Sequence, residues 1–143
     1  MDDDRIIEFE RALWVGGEDI YRRHVASDCL MVVPERPFLL RGEQAIESVE
    51  ATPRWSEVDF SDFEINRPQE GLIVVAYHVE ARRGGQPYSA YCTSTYQKRG
   101  EEDWVVIQHQ QTPRSTGAGD EAAEMVGAQR EASQEREDDR GYQ

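Results

Sequence analysis

Few residue types in this chain can do chemistry, and they are scattered. There are three histidines, His24, His78 and His109, and two cysteines, Cys29 and Cys92. A zinc site needs clustered nitrogen and sulfur ligands, and neither a CxxC pair nor closely spaced histidines occur, so no metal or other cofactor is expected. The thiols read as free cysteines of a reducing cytoplasm and not as a disulfide. Proton transfer then falls to carboxylates, imidazoles and phenols. Glu35 or His24 is the candidate acid or base, with Tyr77 or Tyr96 as hydroxyl donor. A structural role competes with each: His24 ends a short helix, where a cation suits the dipole.

The elements that must position these groups are legible from periodicity. Ile6, Phe9 and Leu13 recur at helical spacing, with Trp14 beside them, over Asp4 to Val15. That predicts an amphipathic helix halted by Gly16-Gly17. A second short helix is predicted over Glu18 to Val25. The apolar run at 28–33, ending at Pro34, reads as a buried strand, followed by a loop held open by two prolines. Gly42 to Val49 predicts a third helix, stopped before Pro53. From residue 56 the period changes to two. Strands are expected at 56–66, 72–82, 88–98 and 104–111, with Gly84-Gly85-Gln86-Pro87 as a reversal. Helices first and a meander afterwards describe an α+β fold.

Composition excludes several partners. Acidic residues outnumber basic ones 29 to 16, and the net charge is −13. Nucleic acid and anionic membrane both demand a basic surface, so neither is expected. No apolar run approaches a membrane span, and the start MDDDR has the wrong charge for export, which points to the cytoplasm. Lys98 is the one lysine among the basic residues. Acid excess with lysine scarcity fits a GC-rich genome or a salt-adapted cytoplasm. Residues 114–143 contain no Leu, Ile, Phe or Trp. Such a segment buries too little to offset its ordering entropy, so 113–143 is expected to be an acidic, disordered tail on a domain of residues 1–112.

The stretches ASDCLMVVP, RGEQAI, the GGQP hairpin and DWVVIQHQQTP, in that order, resemble the nuclear transport factor two-like superfamily. The likeness covers residues 5–112 and is nearest to uncharacterised bacterial members of the ketosteroid isomerase-like and polyketide cyclase-like branch. It implies a cone: a curved, mostly antiparallel sheet wrapped around N-terminal helices, open to a pocket at its wide end. Isomerases of this type place a general-base aspartate just before the proline that ends the first strand. Here Val33 stands there. Their oxyanion-donating acid falls at Ser94, and residues 5–15 hold no tyrosine. Steroid-isomerase chemistry is therefore not expected.

The resemblance also chooses which strand faces look inward. Tyr77 and Val79 are expected inward from one strand, Cys92, Ser94 and Tyr96 from the next, and Val106, Gln108 and Gln110 from the last. Trp14, with Met31 or Val33, would close the floor. His78 and His109 would share the outer face, and Glu35 is the carboxylate expected to reach the mouth. The leading expectation is a small-molecule-binding domain with an apolar pocket carrying hydroxyls and amides. It would be a homodimer through the apolar outer sheet face. The alternatives are an enzyme of the isomerase, cyclase or dehydratase kind acting on a small apolar substrate, and an assembly module.

Overall fold

The computed structural model describes residues 1–114; the remainder of the expected tail lies outside the described residues. Three helices come first: α1 (Asp3–Val15), α2 (Glu18–His24) and, after two strands, α3 (Gly42–Ala51). The strands are β1 (Val25–Val32), β2 (Leu39–Arg41), β3 (Glu57–Gln69), β4 (Leu72–Arg83), β5 (Gln86–Lys98) and β6 (Trp104–Pro113). They form one sheet in the order β2-β1-β6-β5-β4-β3. Among the described strands β1 and β6 run parallel, and the other neighbouring pairs are antiparallel. The α+β expectation holds, and the short edge strand β2 is an addition to it.

Local chemistry explains the boundaries. The Asp2 carboxylate accepts the Arg5 amide at 2.8 Å, and Asp3 and Asp4 occupy the positive end of α1. Its other end lacks a basic residue in the last turn. Arg54 supplies one from a distance, donating to the carbonyls of Leu13, Trp14 and Gly16 at 2.6–2.9 Å. Gly84 and Gly85 take φ of +56° and +80° in the β4–β5 hairpin, where a side chain would be strained. Gly42 starts α3 hard against β1, and a Cβ there would overlap the Ala26 carbonyl.

The core lies between α1 and the inner sheet face, built from Ile6, Phe9, Leu13 and Trp14 against Ile73, Val75, Val79, Ala90 and Val106. One irregularity decides what β6 presents. Tyr96 pairs with Val106 and Thr95 with Gln108, so Ile107 is an extra residue without a partner on β5. This is a β-bulge, and it inverts the alternation beyond it.

Candidate functional site

The bulge corrects the expected faces of the last strand. Gln108 and Gln110 turn to the outer face, where the Gln108 amide donates to Thr93 at 3.2 Å and accepts from Thr95 at 3.0 Å. His109 turns inward and is buried, in register with Ser94 and with Met31. Val106, before the bulge, keeps its inward place. His78 stays on the outer face, bonded to Ser61 and Ser89 and covered by Tyr91. The two histidines therefore lie on opposite faces.

Inside, α1 contributes a residue that sequence reasoning overlooked. Glu10 is completely buried. Its Oε1 accepts hydrogen bonds from the Tyr77 hydroxyl at 2.6 Å and the Ser94 hydroxyl at 2.5 Å, and its Oε2 accepts one from Tyr96. The Trp14 indole N–H donates to the Tyr77 oxygen at 2.9 Å. Phe60 and Phe63 pack on the Tyr77 ring with centroids 4.7 and 5.1 Å away. Glu10 could have been found: residues 6, 9, 10, 13 and 14 form one helical stripe, and an acid in an apolar stripe demands partners.

The Ser94 hydroxyl lies 2.7 Å from His109 Nδ1, and His109 Nε2 lies 3.2 Å from the Gln111 amide nitrogen. Tyr88 donates its hydroxyl to Gln111 Oε1 at 2.9 Å. One set of donors satisfies the whole chain. Tyr88 donates to Gln111, Gln111 to His109 Nε2, His109 Nδ1–H to Ser94, and Ser94 to an ionised Glu10.

Burial dominates the electrostatics. It raises the Glu10 carboxyl to about 7, although the Ser94 and Tyr77 hydrogen bonds pull the other way. It lowers the His109 imidazole to about 4. The 3.6 Å approach of His109 to Glu10 is therefore no ion pair at neutral pH, because the imidazole is uncharged there. Burial likewise raises the thiols of Cys92 and Cys29 to about 12, which leaves both unsuited to nucleophilic work. The Tyr77 hydroxyl is raised by burial and by Glu10 beside it.

A cavity of about 190 Å³ opens at the end of the sheet away from the β3–β4 turn and reaches His109. Trp14 and His109 form its floor; Met31, Val33, Leu40 and Val49 line one side, and Trp55, Tyr88 and Gln111 another. Glu35, Arg36 and Arg83 stand among its outer residues. Of the residues expected to line a pocket, Trp14, Met31 and Val33 do so. Tyr77, Val79, Cys92, Ser94, Tyr96 and Val106 face inward but are sealed beneath α1, so they do not line this cavity. Gln108 and Gln110 face away from it. The cavity thus belongs to the ends of the meander together with β1, α3 and the β1–β2 loop.

The candidate catalytic residues Glu35, His24 and Tyr77 are not brought together. Glu35 lies at the mouth, 68% exposed, 3.5 Å from Arg83. His24 packs edge-on against Phe9 at 4.1 Å, away from the cavity, and burial lowers its pKa. Tyr77 serves Glu10. Among the described residues no three His, Cys, Asp or Glu side chains are grouped to hold a metal ion. No described helix is long and apolar enough to cross a membrane.

No protein-family model matches the chain, and no curated protein matches its sequence. Solved structures do match in fold. A nuclear transport factor two-like protein from Rhodospirillum rubrum, of unknown function in nutrient uptake, superposes with a TM-score of 0.66 at 17% identity, covering 79% of this chain and 98% of that one. One from Cytophaga hutchinsonii gives 0.65 at 18%, covering 79% and 99%. The CamKII hub homology domain of Chlamydomonas reinhardtii gives 0.61 at 16%, covering 78% and 94%. With helices first, a six-stranded mostly antiparallel sheet and these neighbours, the chain has the fold of the nuclear transport factor two-like superfamily.

Proposed function

We propose that the chain is an enzyme that moves a proton on a small, largely apolar molecule held in the cavity, by chemistry of the isomerase or dehydratase kind. The observation that carries this is the chain from His109 Nδ1 to Ser94 Oγ to Glu10 Oε1, at 2.7 and 2.5 Å. His109 is the catalytic residue, because it is the cavity-lining residue at the end of this chain, with Nε2 as its unprotonated nitrogen. Gln111 releases that nitrogen when substrate arrives. The substrate's C–H proton passes to Nε2, the Nδ1 proton passes to Ser94, and the Ser94 proton passes to Glu10. The electron pair left on carbon delocalises into an adjacent carbonyl or expels a leaving group. Reversal returns the proton elsewhere.

The relay solves a problem of base strength. An imidazole near pKa 4 is a poor base alone, but no buried imidazolium needs to persist here. The proton comes to rest on Glu10, whose pKa of about 7 suits work at neutral pH. Glu10 is a positioning and proton-storing residue acting through Ser94. The test is deuterium wash-in from D2O into a panel of small cyclic and aromatic ketones. Exchange that is abolished in His109→Gln and loses its rise with pH through about 7 in Glu10→Gln supports the reading. Equal exchange in wild type and His109→Gln overturns it.

A second reading concerns self-association. Leu30, Val32, Leu39 and Tyr91 share the outer face and are 40–62% exposed. The apolar exposure favours a dimer through this face. Sedimentation of wild type against Tyr91→Glu tests it: a wild-type monomer at micromolar concentration removes the reading.

A further inference from the structure

We infer that the cavity selects a monocarboxylate on a single-ring, apolar body, with Arg83 as the residue that reads the carboxylate. This names a substrate class for the proposed site and rests on the reading that the cavity takes a small molecule. The first observation is a charge inversion. The chain as a whole has 29 acidic against 16 basic residues, yet Arg36, Arg54 and Arg83 line the cavity against one carboxylate, Glu35.

The arginines differ in what they have left to give. Arg54 is spent on three carbonyls and the Tyr21 hydroxyl. Arg83 is held but not satisfied. Its Nη1 donates to the Pro53 carbonyl at 3.0 Å, and its guanidinium lies 4.5 Å from the centre of the Trp55 ring. Its Nη2 meets only Glu35, at 3.5 Å, and Glu35 is largely in water. A pair that long and exposed is weak, and a better-placed carboxylate displaces it. The planar guanidinium, already oriented by its other contacts, loses little entropy in binding one.

Beside it, Trp55 and Tyr88 stack at 5.2 Å and 20°, with Trp14 5.9 Å from Trp55. This aromatic wall runs from Arg83 toward the His109 floor, so an acid anchored at the mouth lays its ring along the wall. About 190 Å³ limits that body to roughly one ring, since a cavity of about 150 Å³ accepts benzene.

Binding of benzoate and benzamide, which share shape and differ in charge, tests this by isothermal calorimetry on the full chain. Wild type is expected to prefer benzoate by about tenfold. Arg83→Gln is expected to lose that preference, and Arg83→Lys to keep part of it. Equal or better binding of benzamide by wild type overturns the carboxylate inference while leaving the cavity as a small-molecule site. Binding of neither compound, with no ketone exchange, overturns both readings. The wild-type pair decides even if Arg83→Gln does not fold.

Discussion

The two faces of the sheet each carry a histidine bonded to serine, and the chemistry available to the two differs entirely. On the outer face His78 meets Ser61 at 3.2 Å and Ser89 at 2.8 Å, a closed set of hydroxyls under Tyr91. On the inner face His109 also meets a serine, but that serine hands its proton to a buried carboxylate. The outer arrangement saturates a ring. The inner one gives a proton somewhere to go, and its other ring nitrogen meets the Gln111 amide beside a cavity. A histidine's neighbours thus matter less by type than by what stands behind them.

The contrast can be broken most strongly at Glu10. Glu10→Ala leaves three buried hydroxyls without their acceptor and is expected to cost roughly 3–5 kcal/mol in urea unfolding. Tyr96→Phe removes one donor to the carboxylate, costing roughly 1–3 kcal/mol. It also raises the Glu10 pKa further, readable by carboxyl carbon NMR. The pH dependence is subtler. A carboxyl raised from 4.5 to about 7 stabilises the fold at low pH and loses that contribution as pH rises between those values. An imidazole lowered from 6.5 to about 4 does the reverse, losing its contribution as pH falls. The two nearly cancel between about pH 4.5 and 6.5. Glu10→Gln leaves only the histidine contribution, so its stability relative to wild type should rise with pH across that window. A difference that stays level would mean the two groups do not titrate as a buried pair. The smallest effect is expected on the outer face. His78→Gln should cost roughly 0.5–1.5 kcal/mol and leave deuterium exchange unchanged. Lost exchange there would erase the distinction between the faces.

Most of the fold was legible because it is written in periodicity. The helix over Ile6, Phe9, Leu13 and Trp14 and the four long strands appear within a few residues of their expected bounds. Strand β2 was not, being three residues long and preceded by two prolines. Faces were legible only up to the bulge: Tyr77, Val79, Cys92, Ser94 and Tyr96 point inward, whereas alternation misplaced Gln108, His109 and Gln110. Nothing in WVVIQHQQ marks Ile107 as the extra residue. The resemblance implies an acid on the strands, whereas the buried acid, Glu10, lies on the helix. The inward hydroxyls, expected to line a pocket, bond to that carboxylate instead.

Ile107 has a consequence for comparing this chain with any other. Because the extra residue is absorbed locally, β6 is one residue longer than its ladder requires, and His109 keeps its place only by virtue of that slack. A relative with an unbulged strand would carry its matching side chain one position earlier. Aligned without a gap, its functional residue would fall opposite Gln108, on the wrong side of the sheet. Two proteins with the same constellation would then look unrelated at the position that matters, and two with matching letters there would differ in what they do. In this fold, homology at the site has to be counted in space and not along the chain.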